Sequence, residues 1–144
     1  MLSIVVPVYN EEEVLPLFHR RLAGVLANLA GPSEIIFVDD GSKDSTLQVL
    51  ETIRKRDPTV GIARLTRNFG KECAVSAGLQ LARGHAVIII DADLQDPPEQ
   101  IAHMVQAWQN GAEIVNMRRL SRDGETSLKK ATAHAFYRVI NRMS

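Results

Sequence analysis

Short apolar runs, mostly β-branched, alternate along this chain with longer stretches whose apolar positions recur at helical spacing. Residues 2–8 predict a first buried strand, 34–38 a second, 60–65 a third, 86–90 a fourth and 113–117 a fifth. The five unbroken apolar residues of 86–90 mark a central strand buried on both faces. Between the strands, Leu15, Phe18, Leu22, Val25, Leu26 and Leu29 form one stripe, ended by Gly31-Pro32. Leu47, Leu50 and Ile53 form a second, opened by Asp44 as a cap and closed before Asp57-Pro58. Residues 71–82, rich in Ala, Ser and Gly, predict a third helix. Ile101, Met104, Val105 and Trp108 predict a fourth over 97–109, with Asp96 as N-cap, Glu99 closing a capping box and Gly111 as C-cap. Leu128, Ala131, Ala135, Val139 and Ile140 predict a last amphipathic helix over 127–143, whose stripe calls for a downstream segment or a membrane surface as cover. Strands alternating with crossover helices predict an α/β fold, a mainly parallel, Rossmann-like sheet with helices on both faces, in a single domain over 1–144.

Composition adds limits. The 144 residues are 45% hydrophobic and 24% charged, an ordinary globular composition. Seventeen basic and seventeen acidic residues cancel, so no global field recruits nucleic acid or anionic lipid. The single cysteine, Cys73, excludes an internal disulfide and suits a reducing compartment; its small neighbours predict a buried packing role. No apolar run approaches the roughly twenty residues that span a bilayer, and the start lacks the basic region of a signal peptide, so a soluble, cytoplasmic chain is expected.

Chemistry gathers where strands end. Three of them stop in polar corners: Tyr9-Asn10-Glu11, Asp39-Asp40-Gly41-Ser42 and Asp91-Ala92-Asp93. A parallel sheet brings all three to one edge, where open α/β sheets bind ligands. Asp91 and Asp93, two residues apart, fall near one side and repel unless a cation lies between them. Mg²⁺ answers that need, because it takes oxygen ligands and is commonly held by one or two carboxylates plus substrate phosphates. The three corners therefore predict a site for a nucleotide with its metal. A dinucleotide fingerprint and a Walker loop are both absent from the sequence. Trp108 reads as core, the four histidines have no metal-ligand spacing, and Arg67-Asn68-Phe69-Gly70 reads equally as a turn or a phosphate contact.

These blocks resemble those of the inverting family-two glycosyltransferases of the type-A fold, specifically the enzymes that glycosylate polyprenyl phosphate. The resemblance rests on Pro7-Val8-Tyr9-Asn10-Glu11, Val38-Asp39-Asp40-Gly41-Ser42 with Asp44 and Thr46, Arg67-Asn68-Phe69-Gly70-Lys71, and the run from Asp91 to Glu99. It implies transfer of a hexose from a nucleoside-diphosphate sugar, with uridine favoured and guanosine the alternative, to polyprenyl phosphate, with Mg²⁺ or Mn²⁺ as cofactor. By the same resemblance Pro7, Tyr9 and Glu11 would line the base and ribose pocket and Asp40 would contact the base. Asp93 would be the metal ligand, aided by Asp91, with Ala92 and Gln95 close to the diphosphate. Arg119 and Arg122 would bind a phosphate, as guanidinium suits. The family continues past the point matching Ser144, so the chain reads as truncated there, with the general base and membrane helices expected beyond it. The full-length form would then lie at the cytoplasmic face of the membrane, with homo-oligomerisation an option. Three other readings stay open: a donor-binding module without turnover, a family-two transferase acting on a glycan acceptor, and a nucleotidyltransferase, which would require a nucleoside triphosphate.

Overall fold

A computed structural model describes residues 1–117. Met1–Glu113 form one compact unit and Ile114–Ser144 a second. Arg119, Arg122 and the helix expected over 127–143 lie outside the described residues.

Within the first unit the order is β1 (Leu2–Val8), α1 (Leu15–Ala27), β2 (Ser33–Asp39), α2 (Thr46–Arg56), β3 (Val60–Arg64), α3 (Lys71–Leu81) and β4 (Ala86–Ile89). A 3-10 turn (Pro98–Gln100) then leads into α4 (Ile101–Gln109). All strand pairs are parallel, in the order β3-β2-β1-β4. The chain thus builds outward from β1 to β3, then returns past β1 to place β4 on its other side. Crossovers of one hand put the helices on opposite faces of the sheet when the direction of winding reverses.

Packing follows that reversal. On one face Ile4, Val6, Val8, Ile35 and Phe37 meet Leu15, Phe18 and Leu22 of α1 and Leu50 and Ile53 of α2. Phe18 and Phe37 stand edge to face, their centroids 6.4 Å apart, the arrangement aromatic quadrupoles favour. On the other face Ile36 and Val38 cluster with Ala74 of α3. Helix α3 lies close to β1: a Cβ on Gly78 would stand 2.4 Å from Val5 Cγ1, so only glycine fits there. The small residues of 71–82 are thus the means by which α3 approaches the sheet.

Polar ties close the end of the sheet opposite the three corners. Buried Ser3 Oγ donates to Glu34 at 2.7 Å and accepts the Gly84 N–H, while Arg83 meets Glu34 through both its backbone N–H and its guanidinium. Across the helical layer His19 joins Asp57 at 2.8 Å, and Arg21 grips Glu99 through two nitrogens.

Several expectations are corrected. Residues 113–117 form no strand, and Ile114 is 79% exposed. Strand β4 is not central among the described residues: it pairs with β1 alone, and Val87 and Ile89 are exposed. The helix expected from residue 97 starts later, at the Pro98–Gln100 turn and then Ile101, with no side-chain cap; Glu99 makes the Arg21 ion pair instead of a capping box. Cys73 and Trp108 are both exposed rather than core.

Candidate functional site

The strand order reverses at β1, so the crevice between the ends of β1 and β4 is the topological switch point of the sheet. A cavity of about 220 Å³ opens there, lined by Pro7, Val8, Tyr9, Glu11, Asp40, Lys71, Ala74, Asp91, Ala92 and Asp93. The first and third corners supply most of its lining, and Asp40 brings the second corner to it.

Each corner is held by its neighbours. After β1 the chain turns sharply at Asn10, which adopts φ +54, a left-handed conformation asparagine tolerates. Asn10 N–H donates to Ser42 Oγ, its side-chain oxygen accepts the Lys43 N–H, and Glu11 N–H donates to Thr46 Oγ1. Glu12 is tied to the second corner as well: its N–H donates to Asp44 Oδ2, and its carboxylate accepts the N–H of Ser45. Asp44 also accepts the Thr46 N–H at 3.0 Å, so the expected capping role is carried by a turn just ahead of α2. Burial pushes the Asp44 carboxyl up, but these hydrogen bonds prevail and hold it below its ordinary range.

Asp40 is buried, and its two oxygens accept the backbone N–H groups of Phe69 and Gly70 at 2.8 and 2.9 Å. Gly41 beside it has φ +70, and a Cβ there would stand 2.5 Å from the Arg67 carbonyl carbon. Residues 67–70 are therefore a turn clamped onto the second corner. Arg67 stacks over Phe69 at 4.6 Å on its outer side.

The third corner carries backbone strain. Leu94 has φ +60, an uncommon conformation for a bulky residue, and Asp93 Oδ1 accepts the Gln95 N–H at 2.9 Å in a tight turn. Gln95 thus sits against Asp93 without lining the cavity. Asp91 and Asp93 both face the cavity, while Ala92 between them is buried.

The charge distribution is uneven. Burial, then the negative charges of Asp93, Asp44 and Asp91, push the Glu11 carboxyl above its ordinary range. Against these acids the cavity wall sets, among the described residues, one cation, Lys71, whose Nζ lies 2.6 Å from Asp91 Oδ2. Sequence reasoning gave Lys71 no role, though its place was a signal: it opens α3, at the helix end where the macrodipole disfavours positive charge. Among the described residues no group of three or more His, Cys, Asp or Glu side chains could enclose a metal ion by itself. Asp91 and Asp93 fit a hard cation only if a ligand, such as a phosphate, completes its oxygen shell.

Known proteins resemble this chain in sequence and in fold. An uncharacterized glycosyltransferase of Synechocystis is 52% identical over 99% of this chain, which spans 45% of that protein. A bactoprenol glucosyl transferase of Shigella phage SfV is 45% identical over 99% of the chain and 47% of its own length. The chain spans about half the length of the curated relatives it matches. Among solved structures, a mannosyltransferase from Pyrobaculum calidifontis in complex with GDP-Man and Mn²⁺ aligns with TM-score 0.62 and 25% identity, covering 82% of this chain and 35% of that one. S. aureus TarS 1-349 in complex with UDP-GlcNAc aligns with TM-score 0.57 and 25% identity, covering 84% and 37%. The α/β fold expected of type-A glycosyltransferases is thus the fold observed. Residues 3–143 match the family described as Glycosyl transferase family 2, and this chain belongs to that family.

Proposed function

We propose that the cavity between β1 and β4 binds a nucleoside-diphosphate sugar together with Mg²⁺ or Mn²⁺, and that the chain is the donor-binding part of an inverting hexosyltransferase acting on polyprenyl phosphate. The observation that carries this reading is the meeting of Glu11, Asp91 and Asp93 around one cavity at the switch point. Such a set of acids suits a ligand that arrives with its own cation. Asp93 would hold the ion with Asp91, and the ion would supply neutralisation of charge on the departing diphosphate.

The protein's own residues do the rest. Pro7 and Tyr9 form an apolar and aromatic wall on which a base and ribose can rest. Asp40 keeps a free lone pair on each oxygen after meeting Phe69 and Gly70, so it can also accept from a base N–H. Arg119 and Arg122 are assigned to a phosphate on the resemblance alone. Polyprenyl phosphate as acceptor is supported by relatives named bactoprenol glucosyl transferases and an undecaprenyl-phosphate 4-deoxy-4-formamido-L-arabinose transferase. A phosphate acceptor is already anionic, which removes the need for a strong general base. Uridine is favoured by the resemblance to the bacterial enzymes and by the UDP-GlcNAc complex of S. aureus TarS 1-349, with guanosine the alternative because another structural neighbour holds GDP-Man.

Calorimetric titration of UDP-, GDP-, ADP- and CDP-sugars, each with and without Mn²⁺, tests the reading. Binding of a UDP- or GDP-sugar that requires Mn²⁺ is expected. Equal binding of all four, or binding indifferent to the cation, overturns it. Incubation with polyprenyl phosphate then separates a transferase from a module that binds without turnover.

A further inference from the structure

Lys71 stands where local physics gives it least reason to be. It is the first residue of α3, preceded by Gly70 at φ +98, at the positive end of the helix dipole. A structural role would favour an acid, and Glu72 next to it follows that rule. Its side chain is 57% exposed, so the apolar stem contributes little to the core. What Lys71 does make is a 2.6 Å contact with Asp91 Oδ2, across twenty residues of chain, inside the cavity wall. A residue that breaks a local rule at a cavity is a candidate for function.

The contact has a consequence for any incoming cation. Asp91 cannot offer the same oxygen to a metal ion and to Nζ at full strength, so Lys71 and the cation compete for it. A diphosphate arriving with the metal supplies the ammonium with a new anionic partner close by. Lysine suits such an exchange, being a compact point charge on a flexible four-carbon stem.

Building on the nucleotide-sugar reading above, we propose that Lys71 is a donor-binding residue that changes partners. It neutralises Asp91 in the empty cavity. It yields that carboxylate to the divalent cation when the donor arrives, and then binds a diphosphate oxygen. Metal entry is thereby tied to diphosphate entry, because metal alone must displace Lys71 without offering it another anion.

The test uses the 144-residue chain and two variants, Lys71→Gln and Lys71→Arg, with UDP, GDP, uridine and Mn²⁺ as probes. Mn²⁺ alone, followed by electron paramagnetic resonance, is expected to bind Lys71→Gln several-fold more tightly than wild type, since its competitor is gone. In saturating Mn²⁺, whichever of UDP and GDP binds wild type should bind Lys71→Gln about tenfold more weakly, the worth of one charged hydrogen bond. Uridine, which has no phosphate, should show no difference between the proteins. Lys71→Arg should recover most of the diphosphate affinity. A merely structural lysine would not raise affinity for the metal while lowering it for the diphosphate. Unchanged Mn²⁺ affinity in Lys71→Gln, or equal losses of UDP and uridine, overturns the partner change while leaving the nucleotide-sugar reading intact. Failure of wild type to bind either diphosphate in Mn²⁺ overturns both.

Discussion

Asp40 and Gly70 are joined by a 2.9 Å hydrogen bond across thirty residues of chain, the carboxylate accepting the glycine N–H. With the matching bond from Phe69, it fixes the turn before α3 against the end of β2. That turn sets where Lys71 begins its helix, so a buried acid at one corner positions a cation at another.

This clamp predicts the outcome of Asp40→Asn. The amide would keep one acceptor oxygen and turn its N–H₂ toward the other backbone donor, leaving the part-buried Phe69 N–H unpaired or the Gly70 N–H resting on Asn68 Oδ1 alone. A buried unsatisfied group costs about 1–3 kcal/mol. The variant should unfold at lower urea concentration by about that amount, and amides 69 and 70 should lose hydrogen-exchange protection. Stability equal to wild type with those amides still protected would show that the clamp contributes nothing.

The lower end of the sheet gives a prediction about pH. Burial pushes the Glu34 carboxyl up, but bonds from Ser3 Oγ, the Arg83 N–H and the Arg83 guanidinium outweigh it, leaving the carboxyl below its ordinary value of 4.5. A depressed carboxyl stabilises the fold at pH values above that ordinary value, and the benefit is lost as pH falls through the depressed one. Wild type should therefore lose stability on acidification below about pH 4.5 more steeply than Glu34→Gln, measured by urea melts at stepped pH. At pH 7, where the depressed carboxyl contributes in full, Glu34→Gln should be the less stable. Parallel pH profiles would remove Glu34 from the account of acid sensitivity.

How far the sequence revealed this fold depends on which forces act locally. Leu2–Val8 was legible because strand and burial coincide: β1 is flanked by β2 and β4 and covered on both faces, so nearly every residue is apolar. Residues 86–90 have the same appearance yet pair with β1 alone in the described residues, because hydrophobicity states what favours burial and not which neighbour provides it. Residues 113–117 misled for that reason too: Ile114, Val115 and Met117 suggest a strand, but the segment has no pairing partner among the described residues. Asp96 and Pro97 looked like a helix start, but Pro97 is extended at ψ 127, and the turn waits for Pro98. At the site, Tyr9, Glu11, Asp40, Asp91, Ala92 and Asp93 were legible as strand-end residues, since parallel topology alone brings such ends together, whereas Pro7 was named through the resemblance. Lys71 was not, because its contact with Asp91 depends on α3 folding back over β1. The lacing of Asn10, Glu11 and Glu12 to residues 42–46 was equally hidden, being made through backbone N–H groups that every residue carries.

The last prediction concerns Asp93. It lines the cavity with Asp91 and Glu11, and its charge is among those that raise the Glu11 carboxyl. Bringing a diphosphate to these acids without a cation is electrostatically unfavourable, and a divalent ion reverses the sign. Asp93→Asn retains the shape and the oxygen that can accept the Gln95 N–H, while removing one charge from the cation's surroundings. Mn²⁺-dependent binding of a UDP- or GDP-sugar should therefore weaken by about tenfold or more in Asp93→Asn, the scale of a lost charged contact. Asp91→Asn should weaken it less, because Lys71 already shares that carboxylate. Stability should be unchanged or slightly raised in Asp93→Asn, since relieving repulsion with Glu11 offsets any loss in the turn. Calorimetry with and without EDTA, paired with thermal melts of the same samples, separates the two effects. Donor binding that survives both EDTA and Asp93→Asn would reduce this corner to a pair of solvated acids beside a strained turn.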